Sequence, residues 1–269
     1  MNIKKTKKLY KEERKEVKAR YKERKRIDKA EYKRRRSELS ELYLSDVERA
    51  HVENGKRPPI NPPKRAIIEE IGNAVTHGLG ALFSVAAFVL MLMYSENSVE
   101  AVGATVYFSG AFIMFSMSCL YHSFPHGSCV KRIFRRFDYS SIYLLIGATF
   151  APVLLCFVGG ASGLVFFVVQ WAVIITGITL IGVFGPSRLK YIHIPLYVLL
   201  GWSAIILMPR MLRGSEQMFF FVLAGGVIYS LGLIPFAIKA KISHFIWHFF
   251  VLAGALIQWV GIFRCIYFN

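Results

Sequence analysis

The sequence predicts an all-α membrane protein: seven transmembrane helices, N-terminus cytoplasmic and C-terminus outside, preceded by a polybasic arm. Three observations predict it. Of the 269 residues 54% are hydrophobic, yet the formal net charge is +17, a combination foreign to a single soluble domain. The charge is segregated: residues 1–65 hold 23 of the 34 Lys and Arg and 11 of the 17 Asp and Glu, leaving too few ionic groups elsewhere for a soluble surface. From Ile67 onward, seven apolar runs recur at about the 20-residue length that crosses a bilayer.

Residues 1–57 read as the arm, 58–65 as a Pro-rich linker and 66–269 as the membrane domain. In the arm, pairs such as Glu16/Arg20 and Glu31/Arg35 are spaced to support a solvated helix, and the apolar positions hold no heptad that would make a coiled coil. A solvated cytoplasmic arm is the plain reading. Its Lys and Arg clusters would also attract anionic lipid headgroups, the partner preferred here over nucleic acid. The prolines at 58, 59, 62 and 63 make the linker a stiff spacer. No cleavable signal peptide is expected at the N-terminus, and the four cysteines form no closely spaced disulfide framework.

The spans are expected at about 72–94, 99–121, 138–158, 162–184, 191–209, 216–238 and 245–265. With the arm in the cytoplasm, Lys131, Arg132, Arg135 and Arg136, then Arg188 and Lys190, then Lys239 and Lys241 all fall on the inner side. The outer breaks hold Glu96 and Glu100, then no charge, then Arg210 and Arg213 near Glu216. That asymmetry satisfies the positive-inside rule and points to a multi-pass protein of the cell membrane.

Within this topology the unusual polar residues gather at one level. Glu70, Asn73 and His77 begin span one on one helix face; Ser118 and His122 end span two; Asp138 opens span three; His244 and His248, one turn apart, open span seven. Each has a plain reading alone. Asp138 could cap a helix, Ser118 could bond its own backbone, and Glu70, Asn73 and His77 could tie helices together. Jointly they favour a metal, because three imidazoles with a fourth position open describe a catalytic zinc site rather than a closed structural one. His77 is the strongest rival to His122, His244 and His248. His193 could approach from span five, Pro125 should turn His126 away, and His51 belongs to the solvated arm.

These stretches resemble the three motifs of the hemolysin III and adiponectin/progestin receptor family: EIGNAVTH (Glu70, Asn73, His77), SCLYH (Ser118, His122) followed by FDYS (Asp138), and HFIWH (His244, His248). The resemblance spans about residues 66–266. Tyr139 after Asp138 is similar to the adiponectin receptor branch, since bacterial members commonly carry Asp-His there. The family belongs to a wider group of seven-helix membrane hydrolases that includes alkaline ceramidases. The resemblance implies zinc held by His122, His244 and His248, with Asp138 binding the metal-bound water and Ser118 close to it. For Glu70, Asn73 and His77 it implies a signature and no assigned chemistry.

The expected function is hydrolysis of an acyl lipid, of the ceramidase-like amide type or an ester, through zinc-bound water at the inner headgroup level. Two alternatives stand beside it. One is a pore-forming, cytolytic protein, as the family name implies; the other is a receptor or membrane sensor in which zinc is structural.

Overall fold

A computed structural model describes residues 3–23, 31, 32, 34–39, 41, 42, 62–238 and 240–268 of the chain. It divides into two compact units, Met1–Pro63 with Pro125–Arg132, and Lys64–Phe124 with Ile133–Asn269. In the first unit the helix Ile3–Glu23 carries the i,i+4 ion pair Lys8–Glu12 at 3.9 Å. The expected pair Glu31/Arg35 does not form: Arg35 turns instead to Glu38 at 3.5 Å and to Glu13 at 4.0 Å. The side chain of Arg20, the run 24–30, His51 and most of the linker lie outside the described residues. His126 bonds the Pro62 carbonyl at 3.2 Å, within the first unit.

The described residues form helices and no strand, and seven of these helices are long and apolar enough to cross a membrane. They are Ile67–Met93, Ser98–Ser123, Cys129–Val158, Gly160–Phe184, Lys190–Gly214, Glu216–Ala237 and Ser243–Tyr267, here spans one to seven. Helices are what an apolar chain must form in lipid, where no water satisfies a stray backbone group. Asn97 caps span two by accepting from the Val99 and Glu100 amides, and Ser215 caps span six by accepting from Met218.

Two expected boundaries need correction. Span three starts at Cys129, so Asp138 does not open a helix but lies nine residues inside one. The basic segment 129–137, expected as a loop, is a continuous part of that helix, because Lys and Arg are good helix formers whatever their hydropathy. The break expected at 210–215 is likewise helical as far as Gly214. Earlier in span five a 3₁₀ segment, Ser203–Leu207, interrupts the α-helix.

Small residues set how the spans meet, as is usual where lipid supplies no hydrophobic drive between helices. Span one packs on spans two and seven, and span seven packs on span six. A Cβ on Gly72 would come 2.7 Å from the Phe245 ring of span seven, and one on Gly80 would come 2.5 Å from Phe115 of span two. Spans two and three close most tightly at Gly110, where a Cβ would meet the Ala148 methyl at 2.3 Å and the Leu144 carbonyl oxygen at 2.6 Å. At their far ends, spans two and seven are tied by the Tyr267 hydroxyl, which donates to the Glu100 carbonyl at 2.9 Å. The three helices carrying the candidate histidines are thereby held in one register.

Because the neighbour at Gly110 includes backbone, no rotamer change relieves an added methyl. Gly110→Ala is expected to destabilise by about 1–3 kcal/mol, the usual cost of overpacking, seen as a lower unfolding temperature in detergent. An unchanged melting curve would show that spans two and three do not touch there.

Candidate metal centre

The site starts from span two. His122 lies in its last turn, 3% exposed, and its imidazole faces spans one and seven. Span seven begins at Ser243, whose hydroxyl donates to the carbonyls of Ile238 and Ala240 and so fixes the turn before it. Ile242 sits in the left-handed region at φ 60°, a strained conformation for a β-branched residue that aims the first turn of the helix. His244 in that turn and His248 one turn on then stack along one face.

The three rings converge. The His122 ring centroid is 5.3 Å from that of His244 and 4.8 Å from that of His248, and the latter two are 4.9 Å apart. One nitrogen from each lies within 4.8 Å of the others, so the group could hold a metal ion. Nitrogen ligands 2.0–2.1 Å from a tetrahedral ion stand roughly 3.4 Å apart, so small side-chain rotations would complete the contact. The donor chemistry also fits. His248 Nδ1 is buried with no hydrogen-bond partner among the described residues, a costly state for a polar atom unless something binds it.

Two of the three signature residues of span one, for which the sequence suggested no chemistry, meet His122. Glu70 Oε2 lies 2.6 Å from His122 Nδ1, and the Asn73 amide lies 3.3 Å from the same nitrogen. With Nδ1–H donating to the carboxylate, His122 turns Nε2 toward the other two rings. That is the carboxylate–histidine arrangement that fixes tautomer and raises basicity in metal sites. The signal was present in the i,i+3 spacing of Glu70 and Asn73, but which histidine they would meet depends on how spans one and two pack.

His77, the rival ligand, takes a different place. Its ring stacks on His248 at 3.8 Å and 25°, meets the edge of Phe115 at 5.2 Å, and is not one of the three converging residues. His193 is also elsewhere, its Nδ1 3.0 Å from the Tyr143 hydroxyl between spans three and five.

Ser118 and Asp138 face the same cavity as His77, His244 and His248. Ser118 is fully buried and Asp138 half-buried. The cavity, with about 1200 Å³ of empty space counting the part open to its surroundings, runs on past Ile142 and Ile146. It ends among Thr149, Trp202, Tyr229 and Gln258. From Asp138 to Phe150 is twelve residues, so by helical rise its length is roughly 18 Å. Its walls are mainly aliphatic and aromatic.

Comparison with known proteins agrees with this architecture. Hemolysin-3 of Bacillus cereus is 34% identical over 205 residues, 74% of this chain and 91% of its own. The hemolysin-3 homolog of Bacillus subtilis (strain 168) is 35% identical over 208 residues, 75% of this chain and 94% of its own. The human monocyte to macrophage differentiation factor is 25% identical over 224 residues, 80% and 91% of the two chains. Residues 65–259, which hold every histidine of the cluster, match the family described as haemolysin-III related, and the chain belongs to that family.

Proposed function

We propose that the protein is a zinc-dependent membrane hydrolase of acyl lipids, acting on an amide of the ceramide type or on an ester. The carrying observation is the His122–His244–His248 group beside a long apolar cavity that Asp138 and Ser118 also line. A cavity of that length and lining suits an acyl chain, with its carbonyl end near the histidines. It suits an ion path poorly, and so favours hydrolysis over a pore.

In this reading His122, His244 and His248 hold zinc, and Glu70 keeps His122 in the ligating tautomer. Zinc there would lower the pKa of a coordinated water to about 7 and polarise the acyl carbonyl. Asp138 is the proton carrier: its carboxylate takes a proton as water oxygen joins the carbonyl carbon. It returns that proton to the nitrogen or oxygen of the leaving half as the C–N or C–O bond breaks. The Ser118 hydroxyl donates to the oxygen on which negative charge develops. The buried wall from Ile142 to Phe150 excludes bulk water from the chain end. Products are a fatty acid and an amine or alcohol.

The N-terminus is assigned to the cytoplasm of a cell membrane from the Lys and Arg of the inner loops, which would put the site at the inner headgroup level. Cys129, exposed at the first residue of span three, reads this directly. A membrane-impermeant maleimide should label it in inverted vesicles and not in intact cells, with Cys129→Ser as the blank. The reverse pattern would invert the topology.

Two substitutions separate ligation from chemistry. His248→Ala should remove both bound zinc, measured by elemental analysis, and lipid cleavage. Asp138→Asn should keep the zinc and slow cleavage by about 10²–10⁴-fold, the usual contribution of a positioned base. A metal-free chain that still cleaves lipid would end the proposal.

Glu70→Gln tests the outer support of the ligand. It should weaken zinc binding about 10–100-fold, read as release to a competing chelator, while leaving the fold intact. Unaltered affinity would mean that the 2.6 Å contact is structural only.

A further inference from the structure

The cavity beside the histidines has a far end, and three helices put it at the same depth. On span three the lining runs from Asp138 to Thr149, eleven residues, and on span seven from His248 to Gln258, ten residues. On span six it runs from Phe236, whose ring meets His244, back to Gly226, again ten residues. By helical rise these three paths are about 15–17 Å long. The hydrocarbon of a bilayer is about 30 Å thick, so the chains of one leaflet take up about 15 Å. The cavity is one membrane acyl chain deep.

That end is held by contacts with little slack. Gln258 lies flat on span six: a Cβ on Gly225 would collide with its Cγ, and its Nε2 donates to the Val222 carbonyl at 3.3 Å. Thr149 is buried, and its hydroxyl spends its one hydrogen on the Leu145 carbonyl at 2.8 Å. Span three cannot draw back at this level, because Ala148 and the Leu144 carbonyl already meet Gly110 of span two. The side wall is tied as well. Trp202 Nε1 donates to the Ser230 hydroxyl at 3.0 Å, and Ser230 donates in turn to the Gly226 carbonyl at 2.8 Å. Walls packed in this way do not stretch. A chain too short leaves lining atoms without contacts, and one too long must fold back or displace side chains.

We infer that Thr149 and Gln258 are specificity-determining residues that set the length of the acyl chain, selecting one of about 15 Å. This rests on the acyl-lipid reading above and narrows it to lipids with chains of ordinary membrane length, against short-chain esters and amides and against very long chains. Length is counted from the carbonyl, which the histidines and Asp138 hold at the near end. Trp202 stands only partway along, five residues beyond Tyr197, whose hydroxyl donates to the Tyr139 carbonyl beside Asp138. It shapes the side of the cavity. Thr149 from span three and Gln258 from span seven close its end.

The test is a competition among saturated fatty acids, from octanoic to lignoceric, offered in equal amounts to the full-length protein and read as retention in native mass spectrometry. Wild type should retain best the acids whose extended length is about 15 Å, with retention falling on both sides. Gln258→Ala removes the end wall and should move the maximum to longer chains. Thr149→Phe fills the end from span three and should move it to shorter ones, with a roughly tenfold loss of the wild-type optimum. The shifts are opposite in sign, which a general loosening of the fold would not produce. Gln258→Ala decides the question if Thr149→Phe does not fold. Val183→Phe adds the same ring on span four, at a side chain 64% exposed and outside the cavity wall, and should leave the profile unchanged. A maximum that Gln258→Ala leaves in place, or wild-type retention that climbs without a break to the longest acid, would overturn the gauge alone. Retention of no acid at all would overturn the acyl reading and the gauge with it. Since retention is read rather than turnover, a maximum that moves as expected in a chain that cleaves nothing upholds the gauge and sinks only the hydrolase reading.

Discussion

The bond between Glu70 and His122 is the contact on which the centre depends. Imidazoles packed among helices that face lipid are expensive, because each buried nitrogen without a partner costs about 1–3 kcal/mol. Four rings share this small volume, and His77 and His248 stack directly. Glu70 satisfies one nitrogen of one ring, and in doing so decides which nitrogen of His122 faces the others. The remaining cost falls on the scaffold. It is met by close helix contacts at Gly72, Gly80 and Gly110, which leave the polar groups no room to separate and reach water.

The same constraint explains what the chain reveals before it is folded. Seven spans are legible because lipid demands about twenty apolar residues in a helix, and nothing else produces that run. Their ends are less so. Hydropathy marks where lipid stops, whereas the helix of span three continues through Arg132, Arg135 and Arg136 down to Cys129. Asp138 thus looked like a cap and is a wall of the cavity inside a helix.

The metal group was legible from two facts: the one-turn spacing of His244 and His248, and the depth of His122. Spacing names a face but not the neighbour it meets. The exclusion of His77 from the converging three, and the service of Glu70 to His122 rather than to His77, depend on the rotation of span one against spans two and seven. Phe245 against Gly72 and Phe115 against Gly80 set that rotation. Ile242 in the left-handed region carries no warning in sequence either, since Ile is among the residues least suited to it. Arg65 was counted with the linker; only burial distinguishes it from the solvated cations before it.

The polarity of the unit has a direction, and the direction has a consequence. Among the described residues lining the cavity Asp138 alone carries a formal charge, while beyond it and the histidines the cavity offers neutral hydrogen-bonding groups such as Thr149 and Gln258 among aliphatic walls. An amphiphile entering such a space has one low-energy orientation, chain inward and charge outward, because reversing it would strip a headgroup of water with no ion to receive it. The histidines stand at the boundary between the two regimes. On the hydrolase reading proposed above, an amphiphile so oriented would bring the junction between its acyl chain and its head to the level of His122, His244 and His248. Positioning of that bond would then follow from the charge pattern of the fold and need no moving part.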